Sequence, residues 1–283
     1  MTVFCYSFYA KGFDFMNKLI QKIASTILIA ACLLAAGCGS QTTSTNEVSI
    51  GVTAGPQAEV MDEVVKEAAK QGIKIKVVEF NDYVQPNKAL AEKDINMNSM
   101  QHQPYLNNVI KKEGLPLVSI GKTIILPMAV YSHTYKKIAD IAPGTKVAIP
   151  NDPTNGARAL LLLQKAGLIT LKNGNDISAS VRDVVKNPKN LKFIELDAAQ
   201  IPRSLDDTGI ACINTNYAIP AGLNPQKDSL LIESKDSPYA NVFAVHTGDE
   251  TNETYKKIVS IYQSEPIRKF INNQFKGAVL PAF

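Results

Sequence analysis

Apolar and polar positions follow two regimes along this chain. From Ile23 to Ala36 apolar and small residues run almost unbroken behind Lys18 and Lys22, and the stretch from Gly39 to Glu47 is polar. Beyond it, apolar positions recur at strand and helix spacing. Val48–Thr53 and Ile73–Val78 read as strands, with Val60, Val64, Val65, Ala68 and Ala69 at helical spacing between them until Gly72 stops the helix. A short helix follows Pro86, then a strand over Asp94–Asn98 and a helix from about Gln101 to Glu113. Lys122–Tyr131 is an extended crossing segment, and Lys146–Pro150 is a strand. Asp152 and Pro153 occupy the N-cap and first position of a helix whose Leu160–Leu163 run makes it apolar on nearly every side, so it must be enclosed. Strands over Leu191–Leu196, Gly209–Ile213 and Asn241–Val245 follow, and two helices broken near Pro266 close the chain. This alternation predicts an α/β architecture with ligand sites at the carboxyl ends of strands.

The apolar run before the polar stretch is a different object. At about 14 residues it is shorter than the roughly 20 of a membrane-spanning helix, and its basic flank and short apolar centre are those of a secretory signal. It ends in Leu33-Leu-Ala-Ala-Gly-Cys38, where small residues expose an extended backbone to a signal peptidase. Cys38 is the expected lipidation site, since acyl chains on its sulfur and freed amine supply two-signal anchoring. Cys32, in Ile29-Ala-Ala-Cys32, also fits a lipobox, but cleavage there would leave Leu-Leu-Ala-Ala on the product, whereas cleavage at Cys38 leaves a polar tether. Residues 1–37 are therefore read as signal peptide, with Met16-Asn-Lys as the expected true start, and 38–46 as a lipidated tether. The expected location is the cell membrane, lipid-anchored and facing the periplasm or exterior.

Composition narrows the remainder. A formal charge of +4 over 283 residues is too weak and scattered for nucleic acid. Of the four cysteines, Cys5 and Cys32 leave with the signal and Cys38 is acylated, so Cys212 has no partner for a disulfide and reads as a small buried hydrophobe. His102, His133 and His246 are dispersed, and no H-E-x-x-H, G-x-S-x-G or phosphate-cradling motif is present. The chain is accordingly expected to be no enzyme and to carry no metal or cofactor.

Polar residues near strand ends are the candidate chemistry. Arg158, in the second turn of the helix begun at Asp152, either grips a carboxylate with its fork or pairs with a surface carboxylate. Asn155 either adds an amide to a ligand or serves the helix start, and Asn214 and Asn216 follow a strand at the edge where open sheets bind ligands. His102 and Tyr105 are three apart on the expected helix and share a face, and Tyr83 lies just past a strand.

Asn81-Asp-Tyr83, Gln101-His-Gln-Pro-Tyr-Leu106, Val147-Ala-Ile-Pro-Asn-Asp-Pro-Thr-Asn155 with Arg158, Asn187-Pro-Lys-Asn-Leu191, Pro202-Arg-Ser-Leu-Asp-Asp207 and Ile213-Asn-Thr-Asn-Tyr-Ala218 stand in this order along the chain. In these blocks the chain resembles the methionine-binding lipoproteins of the MetQ/NlpA family over essentially its whole mature length. The resemblance implies a type II periplasmic-binding-protein-like fold, with lobe 1 over 47–128 and 246–283 and lobe 2 over 129–245, closing on an amino acid. It further implies Arg158 on the substrate carboxylate, Asn214 as a ligand-binding asparagine, and His102, Tyr83 and Tyr105 in the opposite wall, with Asn155 and Asn216 as additional candidates. Met100 stands where the family usually has Phe, and Gln103 where it has Lys, so the mouth of the side-chain pocket lacks an aromatic wall. Aromatic faces suit a thioether, and no side chain of the set offers a charge to the far end of a ligand. The expected ligand is L-methionine, with D-methionine or a methionyl peptide as alternatives, and the expected partners are an ABC permease and ATPase. The charges of Pro202–Asp207 read as lobe-stabilising pairs. A surface lipoprotein or adhesin that keeps the binding fold without transport is the competing class.

Overall fold

A computed structural model describes residues 47–283. The signal, Cys32, Cys38 and the tether lie outside the described residues. No helix among the described residues is long and apolar enough to cross a membrane.

The chain builds two sheets in turn. Strand β1 (Glu47–Thr53) leads into α1 (Pro56–Ala69), then come β2 (Lys74–Phe80), α2 (Gln85–Ala91), β3 (Met97–His102), α3 (Gln103–Glu113) and β4 (Leu117–Ile125). After the first crossing, over 126–128, lie β5 (Ala129–Tyr131), β6 (Lys146–Pro150), α4 (Pro153–Lys165), the short β7 (Thr170–Leu171) and β8 (Val184–Lys186), and β9 (Lys192–Leu196). Strand β10 (Ile210–Ile213), the one-turn α5 (Thr215–Ala218) and β11 (Ser229–Ile232) complete the second lobe. The chain returns across 233–239 into β12 (Ala240–His246), α6 (Glu253–Tyr262), α7 (Glu265–Phe275) and β13 (Leu280–Pro281).

The first sheet has the order β13-β4-β12-β3-β1-β2, and the second β11-β5-β10-β6-β9. In the first, β1 runs parallel to β2 and β3, and β12 is antiparallel to β3 and β4. In the second, β6 runs parallel to β9 and β10, and β5 is antiparallel to β10 and β11. Both sheets are covered by helices, as an α/β layering requires. In lobe 1, Val60, Met61 and Val64 of α1 meet Ile258 and Tyr262 of α6 and Ile271 of α7 over Ile50 and Val52, while Leu90 and Leu106 cover the other face. In lobe 2, Leu160, Leu162 and Leu163 of α4 pack on Val130, Val147, Ile149 and Cys212, as the all-round apolar character of this helix requires. Cys212 is fully buried, and burial pushes its thiol up to about 12, so it is inert packing.

Three sequence expectations are corrected. The strand expected over Asp94–Asn98 sits at Met97–His102, where Ile50 pairs with Met97 and Gly51 with Asn98. All six of its residues are buried, and Asn98, Gln101 and His102 bond to one another or to neighbouring elements instead of alternating toward water, so period-2 patterning could not locate it. Residues 240–245, expected in lobe 2, belong to lobe 1, because β12 pairs along its length with β3 and β4. In Pro202–Asp207 one pair forms, between Asp206 and His133 at 2.6 Å, and both side chains are exposed, where such contacts add little. Arg203 and Asp207 join no ion pair among the described residues.

The packing of α4 gives a direct test of the lobe 2 core. Leu163 is wholly buried. Leu163→Ala should lower unfolding free energy by about 2–5 kcal/mol, read from urea denaturation; a loss under 1 kcal/mol would contradict the enclosure of this helix.

Candidate functional site

The carboxyl ends of β1, β2, β3, β6 and β10 all supply residues to a cleft between the lobes. Gly55, at φ 85°, turns the chain from β1 into α1, and a Cβ there would come within 2.8 Å of Pro220 Cγ in lobe 2, so a side chain would push the lobes apart. Contacts across the cleft are polar. The Tyr83 hydroxyl donates to Asn216 Oδ1 at 2.7 Å, the Tyr217 hydroxyl donates to the Asn81 carbonyl at 3.3 Å, and His102 Nε2 lies 3.2 Å from Asn155 Oδ1. Between them lies about 320 Å³ of space not filled by protein atoms, part of it open to solvent. Tyr83, Met100, His102, Tyr105, Asn155, Arg158, Asn214 and Asn216, the residues anticipated from sequence, all line it.

Arg158 is 3% exposed and has a definite partner. Its Nε donates to Glu233 Oε1 at 3.0 Å, and its Nη2 donates to Glu233 Oε2 and, at 2.8 Å, to the Leu126 carbonyl. The Cζ atom stands 4.4 Å from the centre of the Tyr239 ring. Both of the alternatives read from sequence therefore meet in one residue: Arg158 is paired with a carboxylate, and it faces the cavity. Its Nε/Nη2 edge is given to Glu233 and the second Nη2 proton to the Leu126 carbonyl, so neither two-pronged edge is open for the bidentate grip on a ligand that was one of the sequence alternatives. Nη1 alone makes no hydrogen bond among the described residues.

A chain of amides fixes which atoms face inward. Asp152 caps α4, its carboxylate accepting from the backbone N–H and from Nδ2 of Asn155, both at 2.9 Å. Asn155 Nδ2 is thereby spent on an acceptor, and Asn155 Oδ1 accepts from Asn214 Nδ2 at 2.8 Å. Asn214 is left presenting Oδ1, buried and without a partner. Asn155 thus serves the helix start and orients Asn214. Asn216 accepts through Oδ1 from Tyr83 and presents an unpaired, buried Nδ2, and Gln57 of α1 presents an unpaired, buried Oε1.

His102 is the last residue of β3 and the N-cap of α3, not a member of the helix as the spacing with Tyr105 suggested. Its Nδ1 accepts the Tyr105 backbone N–H at 3.1 Å, which places the ring proton on Nε2, facing Asn155 Oδ1. Burial, reinforced by the nearby Arg158 charge, lowers its pKa to about 3, so the ring is neutral at physiological pH. Tyr83 and Tyr105 are joined by a 3.1 Å bond from the Tyr105 hydroxyl to the Tyr83 carbonyl, with rings in edge contact at 6.0 Å. Burial pushes both phenols upward, so both stay protonated. Met100, 2% exposed, adds an apolar surface.

Sequence reasoning missed Gln57, Gln101, Leu126, Asn241 and Glu233. Gln57 carried one usable signal, its place just past the carboxyl end of β1. Glu233 carried none, because Glu233-Ser-Lys-Asp-Ser-Pro238 reads as an ordinary polar loop and its partner lies 75 residues away. No group of three or more His, Cys, Asp or Glu among the described residues is placed to hold a metal ion.

Comparison with known proteins agrees with this architecture. The sequence profile of the NlpA lipoprotein family matches residues 48–283. The chain is 47% identical over 265 residues to a D-methionine-binding lipoprotein MetQ of Salmonella typhi, covering 92% of this chain and 97% of that one. It is 45% identical over 265 residues to the protein of the same name from Escherichia coli strain K12, with the same coverage. A solved nutrient-binding protein from Burkholderia cenocepacia bound to methionine superposes with a TM-score of 0.81 at 49% identity, covering 83% of this chain and all of that one. The fold is the two-lobed α/β fold of periplasmic-binding proteins, and the chain belongs to the NlpA lipoprotein family.

Proposed function

We propose that this chain is the substrate-binding lipoprotein of an ABC importer, closing its lobes on methionine and delivering it to a permease and ATPase. The observation that carries this reading is the set of buried polar atoms left unpaired around one cavity: acceptors at Asn214 Oδ1 and Gln57 Oε1 and a donor at Asn216 Nδ2, with Arg158 Nη1 beside them. Orphaned buried groups each cost about 1–3 kcal/mol, so a protein keeps them where a ligand completes them. A free amino acid meets three of these four with one molecule, its ammonium donating to Asn214 and its carboxylate accepting from Arg158 and Asn216. Tyr83, Tyr105 and Met100 then receive the side chain, and their surface suits an apolar thioether. The relatives named for D-methionine and the solved relative bound to methionine support the same ligand. Binding without chemistry is favoured as well, since the ring of His102 is held neutral and engaged at both nitrogens.

Arg158→Ala should weaken methionine binding about 30-fold or more in calorimetry, and Asn214→Ala about tenfold, with folding checked by thermal melts because the first change strands Glu233. Near-unchanged affinity in both folded variants would remove them from the ligand shell. Across a thermal-shift panel, L- and D-methionine should stabilise most, norleucine should fall short by about 1 kcal/mol, and lysine and glutamate should fail. Stabilisation by a charged side chain, or by a methionyl peptide but not free methionine, would reassign the pocket.

Anchoring at Cys38 rests on the leader sequence and on the family. Cys38→Ala should abolish acylation and leave the chain either released from membranes or retained as precursor, seen by mass spectrometry of membrane and soluble fractions. Normal acylation at Cys32 would overturn the assignment. Methionine uptake in cells lacking this chain separates delivery to a transporter from binding alone: uptake should fall, and unchanged uptake would favour the surface-lipoprotein reading.

A further inference from the structure

We infer that Glu233 is a positioning residue that sets the charge specificity of the cavity: by balancing Arg158 it makes the closed site select ligands of zero net charge over the corresponding anions. This inference rests on reading the cavity as an amino-acid site. Three observations support it. Glu233 takes the Nε/Nη2 edge of Arg158, and the Leu126 carbonyl takes another Nη2 proton, so one nitrogen of the guanidinium remains for a ligand. Glu233 is held there independently of any ligand, because its N–H donates to the Met128 carbonyl at 2.9 Å and its Oε2 accepts the Met128 N–H at 3.2 Å. Apart from Arg158, the residues lining the cavity are neutral amides, tyrosines, apolar side chains and the uncharged His102; the Asp152 carboxylate lies behind Asn155, and its charge reaches Tyr83 and Tyr105 in every variant alike.

The consequence is electrostatic. With Arg158 and Glu233 both in place the pair itself carries no net charge, so a zwitterion enters beside it without adding an uncompensated charge in a poorly solvated space. A carboxylate lacking the ammonium would leave a net negative charge, and an amino-acid amide a net positive one. Without Glu233 the surroundings of the ligand are more positive by one charge, and the anion gains relative to the zwitterion. A unit charge at this range, in a partly buried setting, changes relative affinities by about tenfold or more. A merely structural Glu233 would weaken all ligands alike.

The test compares the affinity of the tightest-binding amino acid with that of its deaminated acid and its amide, by calorimetry on the wild-type chain and on variants. For methionine these are γ-methylthiobutyrate and methioninamide. In Glu233→Gln the preference for the amino acid over the deaminated acid should shrink about tenfold or more, while Glu233→Asp, which keeps the charge on a shorter stem, should retain it even where overall affinity falls. Arg158→Gln, which leaves Glu233 unbalanced, should shift preference toward the amide by a similar factor, and it serves as the test where Glu233→Gln prevents folding. Preference ratios unchanged from wild type in whichever of these two folds would overturn the inference. If another amino acid proves to be the ligand, the methionine reading fails while the ratio stays measurable, and a wild-type chain that binds no amino acid overturns both.

Discussion

A guanidinium withdrawn from water at the junction of the two lobes is the interaction on which the site depends. Stranding such a charge costs several kcal/mol, and it is tolerated here because its partners are complete on one side. Glu233 and the Leu126 carbonyl, which supply them, sit on the two different segments that cross between lobes, while the Tyr239 ring covers the flat face of the cation. Arg158 itself belongs to α4, enclosed in the lobe 2 core. The binding cavity, the crossings and the core of one lobe are therefore mechanically a single piece, and the ligand meets only the remaining nitrogen.

The second determinant is the direction in which the amides point. The Asp152 carboxylate accepts from Thr154 and twice from Asn155, which fixes the orientation of Asn155, and Asn155 in turn fixes that of Asn214. His102, fixed in one tautomer by the α3 backbone, adds a donor to the same Asn155 oxygen from the opposite lobe. Helix capping, a local matter in most chains, is here the first link in placing an acceptor inside the cleft. Closure and site assembly are coupled by the same bonds: His102 with Asn155, and Tyr83 with Asn216, both bridge the lobes.

The sequence exposed those parts of this arrangement that follow local rules. The Asp152–Pro153 start of α4, the apolar Leu160–Leu163 run and the alternating strands around them were legible because capping and periodicity are short-range, and the lining residues near strand ends followed from the α/β rule and the family blocks. Strand β3 escaped because four of its six buried side chains are polar, and Asn98 and Gln101 are satisfied by each other and by Asn87 of α2, which leaves no alternating apolar period. The pairing of Arg158 with Glu233 escaped for a different reason. An ion pair between distant segments has no sequence spacing, so the sequence offers Arg158 a protein carboxylate as one alternative without a partner to name. The helix expected from about Gln101 starts at Gln103, so His102 caps α3 from the end of β3 while its ring still lines the cavity.

The most direct measurement is a crystal structure of the protein with methionine bound. The arrangement of unpaired atoms predicts the ammonium within about 3 Å of Asn214 Oδ1, the carboxylate on Arg158 Nη1 and Asn216 Nδ2, the thioether against Tyr105 and Met100, and Arg158 still paired with Glu233. A ligand bound in the reverse sense, or Glu233 displaced so that Arg158 grips the carboxylate with both prongs, would contradict it.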